Sequence, residues 1–348
     1  MKNEAMEVSA GKLWSLRRLS DRRGFFTMVA VDQRSGVEKL VTERYGSADW
    51  AEIGKIKRLV IEELSPYASA LLVDPQYAYP YAQQALDPRR GLLVTLEQFP
   101  CEEDAGGRRT LLYPGWSVAK VKRLGADGAK LMLWYRPDAS PAVLAHQHAL
   151  VERIGRDCRQ HDIAFLLEPL VYPLGASPAG DSCGEDNTSH PEMVLAAIEE
   201  FRKERYGIDV FKLETPIAAK VIVDPDDGSA EAAQTQAWFC RMDAMLDRPW
   251  VMLSAGAAME PFRRILTYGF RAGASGYLAG RAIWWPAAME YPDWDRFRAR
   301  LRAEGVPYVG LVQTLLERHG RPWMSKPAFS GGVTLADGGP GFLGAYQD

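Results

Sequence analysis

Two lysines lie inside apolar segments, where an unpaired lysine is rare. Lys212 lies in residues 210–214 (VFKLE), and Lys130 lies in residues 128–135 (GAKLMLWY). Burial disfavours the ammonium form of lysine, so that a neutral amine can exist near pH 7. A neutral amine is the nucleophile that condenses with a ketone to form a Schiff base. The sequence therefore predicts nucleophilic chemistry at Lys212, and the alternative is a structural ion pair between Lys212 and Glu214.

Carboxylates follow apolar runs in the same part of the sequence. Glu168 ends residues 164–168 (AFLLE), and Asp32 ends residues 25–32 (FFTMVAVD). A carboxylate at the end of a strand can transfer protons, which makes Glu168 a candidate acid and base. A structural alternative stays open, in which Glu168 neutralises Lys130 and Asp32 caps a helix. Asp74 also fits a helix cap, and Glu97 is the weaker candidate for chemistry.

A candidate anion site lies near the end of the sequence. Ser254 and Gly256 follow one apolar run, and Gly280 and Arg281 end another. Glycines let a backbone approach an anion, and arginine offers two parallel hydrogen bonds to it. Glycine also serves tight corners of barrels, so these glycines alone are weak evidence. Together with Arg281 they favour an oxyanion site.

These residues fall on a regular series of apolar runs. Eight short runs begin near residues 25, 70, 91, 128, 164, 209, 250 and 276, and most are separated by amphipathic stretches. Eight strand–helix units with polar residues at the strand ends predict a (β/α)8 barrel over residues 1–320. Residues 321–348 are rich in glycine and proline and predict an extended tail. Within residues 49–64 an apolar stripe predicts a helix, with Lys57 off the buried face.

Two connections are unusually long for a compact domain. They cover residues 98–116 and 171–189, and both would lie at the carboxyl ends of the strands. Loops of this length are usually functional or disordered. The second is a candidate lid, and a disordered surface insertion is the alternative. Ser189 and Glu192 predict a capping box at the start of the helix that follows.

Composition excludes several classes of protein. The net charge is −3 with acids and bases interspersed, which does not favour nucleic acid or a membrane as a partner. No apolar run reaches the roughly 18 residues of a membrane span. Four scattered cysteines and an N-terminus without an apolar core predict a cytoplasmic protein. The five histidines lie away from the strand ends, so we expect no metal, and no nucleotide-cofactor motif is present.

Several segments resemble one known family, the class I tagatose 1,6-bisphosphate aldolases. They include AVDQR (30–34), GAKLMLWY (128–135), LLEPL (166–170), GIDVFKLETP (207–216), LSAGA (253–257) and AGASGYLAGRAIW (272–284). The sulfofructose 1-phosphate aldolases, a branch of the same group, are similar to a comparable degree. The resemblance extends over residues 12–320. The pair Trp284-Trp285 and the tail, including Tyr346, match neither branch closely.

The resemblance implies a role for each candidate residue. Lys212 would form the Schiff base, Glu168 would move protons, and Asp32 and Lys130 would assist them. Ser254, Gly280 and Arg281 would bind the first anionic group of the substrate, and Gln33 and Arg34 would bind the second. No cofactor is implied. A homo-oligomer is usual for such barrels.

The expected function is metal-independent cleavage of a ketohexose 1-phosphate. Tagatose 1,6-bisphosphate is the first substrate to expect, and its products are dihydroxyacetone phosphate and a three-carbon anionic aldehyde. One alternative is sulfofructose 1-phosphate, which would give sulfolactaldehyde. Others are a metal-dependent lyase on the same barrel and a non-catalytic barrel that binds a sugar phosphate. A buried amine nucleophile argues against the non-catalytic alternative, because binding alone does not require one.

Overall fold

The computed structural model describes residues 5–173 and 191–346, and its centre is a closed barrel of eight parallel strands. In chain order, strands 1 to 8 are Phe26–Ala30, Ala70–Val73, Gly91–Thr95, Gly128–Trp134, Ala164–Leu170, Val210–Leu213, Trp250–Met252 and Gly276–Ala279. Each strand pairs with the next, and strand 8 pairs with strand 1. The predicted (β/α)8 barrel is confirmed.

Helices surround the barrel, and the first of them closes the amino end of the barrel. In the described residues they are Ala10–Leu19, Ser35–Tyr45, Trp50–Leu64, Ala78–Ala82, Val118–Arg123, Pro141–Gln160, Pro191–Phe201, Ala230–Ala244, Met259–Ala272, Arg281–Ala288, Trp294–Arg300, Val306–His319 and Phe342–Ala345. None of these helices is long and apolar enough to cross a membrane.

Side chains alternate between the inside and the outside of the barrel, because successive residues of a strand point to opposite faces. The interior cluster contains Phe26, Met28, Ala30, Ala70, Leu72, Leu93, Ala164, Leu166, Val210, Val251 and Leu278. The residues between them, such as Val29, Leu71 and Phe211, pack in the outer cluster. Lys130, Glu168 and Lys212 occupy inward positions on strands 4, 5 and 6, so the alternation sends all three into the barrel.

The amino ends of the strands are closed by the first helix and by the segment after residue 320. Leu16 and Leu19 of that helix belong to the interior cluster, as do Trp323 and Phe329. The short strand Val333–Leu335 pairs in parallel with Met6–Val8. The predicted tail therefore packs against the barrel, and the boundary at residue 320 stays a prediction.

The helix Trp50–Leu64 has the predicted apolar stripe but a wider buried face than expected. Asp49 caps its start by accepting a hydrogen bond from the Glu52 backbone N–H. The prediction that Lys57 lies off the buried face is wrong, because this side chain is only 1% exposed. A lysine can be buried here because acceptors from the segment after strand 1 and an aspartate surround its amine, as described below.

One of the two long connections forms a hairpin beside the carboxyl end of the barrel. Within residues 98–116, Glu102–Asp104 pairs antiparallel with Gly107–Arg109. The Arg108 guanidinium carbon lies 4.8 Å from the ring centre of Trp134 and 5.0 Å from that of Tyr172. These cation–π contacts attach the hairpin to strands 4 and 5. The candidate lid at 171–189 lies outside the described residues from residue 174 onward, as does Ser189 of the predicted capping box.

Candidate active site

Three inward side chains meet at the carboxyl end of the barrel. Glu168 lies between the two lysines on the middle strand of three neighbours. Lys212 Nζ is 2.6 Å from Glu168 Oε1, and Lys130 Nζ is 2.8 Å from Glu168 Oε2. Lys212 and Glu168 each keep only 7% of their side-chain surface exposed. Glu168 can therefore take a proton from Lys212 and leave a largely buried amine nucleophile.

Lys130 is surrounded by acidic side chains from three other elements. In addition to Glu168, its amine lies 3.1 Å from Asp32 Oδ2 and 2.8 Å from Glu97 Oε1. Burial alone would lower the pKa of Lys130, but Asp32, Glu168 and Glu97 raise this pKa well above its usual range. Lys130 is therefore a fixed positive charge and not a second nucleophile.

Asp32 is held in its ionised form. Burial alone would raise the pKa of Asp32, but the positive charges of Lys130, Lys212 and Arg34 outweigh it and hold that pKa well below its usual range. Its carboxylate lies at the end of strand 1 and lines the same cavity as Lys212. The helix-cap alternative is not what the structure shows, because the residue at the cap of helix Ser35–Tyr45 is Arg34.

Arg34 lines the cavity but is already held by other groups. Its Nη1 donates hydrogen bonds to the Glu97 carbonyl oxygen at 2.7 Å and to the Tyr113 hydroxyl at 3.0 Å. Its Nη2 lies 3.2 Å from Glu97 Oε1. Arg34 thus completes a buried set of three cations and three carboxylates, in which the charges balance. Its proposed contact with a second anionic group of the substrate stays a prediction.

The predicted anion-binding residues form another wall of the cavity. Ser254, Gly280 and Arg281 line it together with Lys212. Helix Arg281–Ala288 begins directly after Gly280, so the positive end of its dipole lies at this wall. Gly256 does not line the cavity, but a Cβ at this position would lie 3.2 Å from the Arg281 guanidinium. Gly256 also has φ +71°, so both backbone conformation and space favour glycine behind Arg281.

The cavity that these residues enclose has a volume of about 420 Å³ and opens at the carboxyl ends of the strands. This volume is in the range of small-molecule sites in general. Gln33 and Trp134 are among its other lining residues. Among residues 5–173 and 191–346, no group of three or more histidine, cysteine or acidic side chains could hold a metal ion.

Lys57 binds the backbone segment that carries Asp32. Its amine donates hydrogen bonds to the carbonyl oxygens of Val31 at 2.9 Å and Gln33 at 2.7 Å, and it forms a close ion pair with Asp74. These two carbonyls flank Asp32 in the chain. Asp74 also accepts hydrogen bonds from the backbone N–H groups of Gln76 and Tyr77. The predicted helix cap at Asp74 is wrong, because the residue at the cap of helix Ala78–Ala82 is Tyr77. Lys57 therefore fixes the backbone on either side of Asp32.

Substitution of Lys57 by methionine is expected to lower the free energy of unfolding by about 3–5 kcal/mol, because Asp74 would remain buried without its cation. Urea unfolding followed by circular dichroism measures this change. The matched control is Lys55→Met on the same helix, where the lysine is 48% exposed and pairs with Glu52. The control should change stability by no more than about 1 kcal/mol. Equal effects of the two substitutions would contradict the assigned role of Lys57.

Sequence reasoning found the main group of residues but underrated Glu97 and missed Lys57. Glu97 was the weaker candidate, yet its side chain is fully buried and contacts both Lys130 and Arg34. It follows an apolar run just as Asp32 and Asp74 do, and this was the available signal. For Lys57 the sequence offered only a lysine beside an apolar helical stripe, which is typical of exposed positions.

Comparison with known proteins identifies a family for this chain. Residues 26–285, more than half of the chain, match the model of the DeoC/LacD family aldolases. The tagatose 1,6-diphosphate aldolase of Listeria monocytogenes is 32% identical over 327 residues, which cover 92% of this chain and 96% of that protein. The tagatose 1,6-diphosphate aldolase 2 of Streptococcus mutans is 34% identical over 331 residues, which cover 92% of this chain and 99% of that protein.

A solved structure shows the same fold at much lower identity. A fructose-bisphosphate aldolase from Plasmodium falciparum superposes with a TM-score of 0.63 at 11% identity, over 92% of this chain and 99% of that one. At this identity the likeness concerns the barrel alone. The family match and the two bacterial relatives extend over the strands that carry the lysines and carboxylates described above. The chain therefore belongs to the DeoC/LacD family and is a class I aldolase.

Proposed function

We propose that this aldolase cleaves tagatose 1,6-bisphosphate through a Schiff base on Lys212. The observation that carries the proposal is the 2.6 Å contact between Lys212 Nζ and Glu168 Oε1 inside the cavity. The choice of substrate is supported by the names of the bacterial relatives, both tagatose 1,6-diphosphate aldolases. A cytoplasmic location and a homo-oligomeric state remain predictions from the sequence.

In the first stage, the Lys212 amine attacks the C2 carbonyl carbon of the ketose. Glu168 first takes a proton from the Lys212 ammonium and gives it to the carbonyl oxygen as the amine attacks, which forms the carbinolamine hydroxyl. Glu168 then takes a second proton from the nitrogen and donates it to this hydroxyl. That hydroxyl leaves as water, and a protonated iminium links C2 to Lys212. Glu168 Oε1 lies 2.6 Å from the amine, so Glu168 would act as base and acid in turn at the carbon that the amine attacks.

In the second stage, the C3–C4 bond breaks. A carboxylate removes the proton of the C4 hydroxyl, the C4 oxygen becomes the aldehyde carbonyl, and the electron pair of the C3–C4 bond moves into the iminium. The three-carbon aldehyde leaves, the carboxyl group returns its proton to C3 of the enamine, and water then hydrolyses the iminium that forms again. Dihydroxyacetone phosphate leaves, and the free amine of Lys212 is restored.

Lys130 and Asp32 carry fixed charges that position Lys212 and Glu168 but do not themselves react. Lys130 holds Glu168 through Oε2, which leaves Oε1 directed at Lys212. Ionised Asp32 lies 3.1 Å from the Lys130 amine and offers a negative charge near the cationic iminium. Such groups are oriented before the substrate arrives, so they stabilise developing charge without reorganisation. The C1 phosphate would bind at Ser254, Gly280 and Arg281 beside the helix N-terminus.

A substrate comparison tests the proposal. We expect kcat/KM for tagatose 1,6-bisphosphate to exceed that for sulfofructose 1-phosphate by at least about tenfold, since the relatives at about a third identity act on the former. A coupled assay for dihydroxyacetone phosphate measures both rates, in the presence and absence of a chelator. A preference for the sulfonate would assign the enzyme to the sulfosugar branch. Cleavage that stops in chelator would contradict the metal-independent mechanism.

A further inference from the structure

We propose that Trp285 and Lys39 form the subsite that binds the aldehyde half of the substrate, with Trp285 against its carbon chain and Lys39 at its terminal anionic group. The inference rests on the proposed function, and it concerns the part of the substrate that the Schiff-base lysine does not touch. It identifies two residues that determine which aldehyde the enzyme releases or accepts.

The cavity continues past the catalytic lysine into a groove between two helices. One wall is helix Ser35–Tyr45, from which Gly36, Lys39 and Glu43 line the groove. These positions are three and four residues apart, as on one face of a helix. Helix Arg281–Ala288 gives the other wall, with Arg281 and Trp285 four residues apart. Residues of both helices therefore line the same cavity as the candidate C1 phosphate site.

The Trp285 ring lies close to the start of helix Ser35–Tyr45. A Cβ on Gly36 would lie 3.4 Å from the Trp285 ring and 3.1 Å from the Gln33 side-chain nitrogen. Glycine at this position thus lets the indole and the Gln33 amide approach each other. The neighbouring Trp284 is buried and donates a hydrogen bond to the Ala30 carbonyl oxygen, which fixes the helix that presents Trp285.

The carbon chain of a sugar matches this surface chemically. Trp285 is half-buried and lines the cavity, so it offers a broad apolar ring beside the polar Gln33 amide. Covering that ring with the C–H surface of the sugar carbons removes apolar area from water. Met289, 42% exposed, extends the apolar strip toward solvent.

The terminal anion needs a cation that a ligand can reach. Arg34 is poorly suited, because its side chain is only 6% exposed. Lys39 lines the same cavity and is exposed, so a ligand in the cavity can reach its side chain. Its flexible stem can place an ammonium beside a phosphate or a sulfonate, since both are anions with several acceptor oxygens. The second anion would then meet Lys39 and not Arg34, the residue that the sequence predicted.

The test separates the two halves of the reaction in Lys39→Met, Trp285→Leu and the control Lys55→Met. Borohydride reduction with dihydroxyacetone phosphate, followed by intact-mass spectrometry, reports the half that forms the Schiff base. Condensation of dihydroxyacetone phosphate with glyceraldehyde 3-phosphate or with neutral glyceraldehyde reports the aldehyde half. Lys55 is an exposed lysine on a different helix and does not line the cavity.

We expect all three variants to form the adduct as the wild type does. Lys39→Met should raise KM for glyceraldehyde 3-phosphate about tenfold or more and leave KM for glyceraldehyde unchanged, because one charge-assisted contact is lost. Trp285→Leu should raise KM for both aldehydes. Lys55→Met should change neither.

Two results would overturn the subsite. One is an unchanged KM for glyceraldehyde 3-phosphate in both Lys39→Met and Trp285→Leu. The other is a loss of the dihydroxyacetone phosphate adduct in these variants, which would place the residues in the other half of the site. Absence of the adduct in the wild type would instead contradict the proposed function itself, and the subsite with it.

Discussion

Replacement of Lys212 by alanine is expected to reduce the rate of aldol cleavage by more than about 10⁴-fold, because removal of a covalent nucleophile leaves only binding and electrostatic effects. Borohydride reduction in the presence of dihydroxyacetone phosphate should add mass to the wild type and none to the variant. The coupled cleavage assay and intact-mass spectrometry together measure both results.

The variant Lys212→Arg separates the charge of Lys212 from its nucleophilicity. A guanidinium can keep an ion pair with Glu168, but it is not deprotonated in proteins and cannot form the imine. We expect Lys212→Arg to unfold at a urea concentration close to that of the wild type and to be as inactive as Lys212→Ala. Cleavage near the wild-type rate in either variant would show that the covalent step uses another residue.

Substitution of Lys130 by methionine is expected to lower the free energy of unfolding by about 3–5 kcal/mol at neutral pH. The substitution leaves Asp32, Glu97 and Glu168 close together without the cation that contacts all three. Activity should fall as well, because Glu168 loses the partner that orients it. Urea unfolding at pH 7.5 measures the loss of stability. The double variant Lys130→Met/Glu97→Gln should recover part of it, since one buried negative charge is removed.

The stability lost in Lys130→Met should depend on pH in a characteristic way. In the wild type the pKa of Asp32 is held below its ordinary 3.8, so its contribution is present above that value and is lost as pH falls through the lower folded pKa. The pKa of Lys130 is held above its ordinary 10.5, so its contribution is present below that value and is lost only as pH rises further. The contribution of Asp32 and Lys130 to the unfolding free energy of the wild type should therefore be constant from about pH 5 to 9.

In Lys130→Met the burial of Asp32 is no longer outweighed to the same degree, and its pKa should rise. Protonation of Asp32 at low pH then removes the cost of a buried negative charge in the variant. The difference in unfolding free energy between wild type and variant should therefore shrink from pH 7.5 to pH 4.5. A difference that stays constant over this range would contradict the electrostatic account and would favour a packing defect at the substituted position.

The sequence was sufficient to predict the barrel and the convergence of three of its candidate residues. Apolar runs that each end in a polar residue predict parallel strands whose carboxyl ends meet at one rim. Lys130, Glu168 and Lys212 occupy inward positions on neighbouring strands, and alternation with period 2 follows from the backbone alone. Their convergence therefore needs no knowledge of loops or of helix packing.

Other residues had the same sequence signal but different surroundings in the fold. Asp32, Asp74 and Glu97 each lie at or just beyond the end of an apolar run, yet Asp74 pairs with Lys57 while Glu97 pairs with Lys130 and Arg34. Which cation each acid meets depends on the path of the segment after its strand, and no local pattern encodes that path.

By itself the sequence determined the fold class, the Schiff-base candidate and the acid beside it, because strand periodicity and the cost of burying a lysine are local properties. Only the tertiary structure decided that Lys57 is buried, that Arg34 is enclosed by Glu97 and Tyr113, and that Trp285 and Lys39 share a groove. These outcomes depend on contacts between segments distant in the chain. Such contacts form where long-range packing brings complementary charges and shapes together.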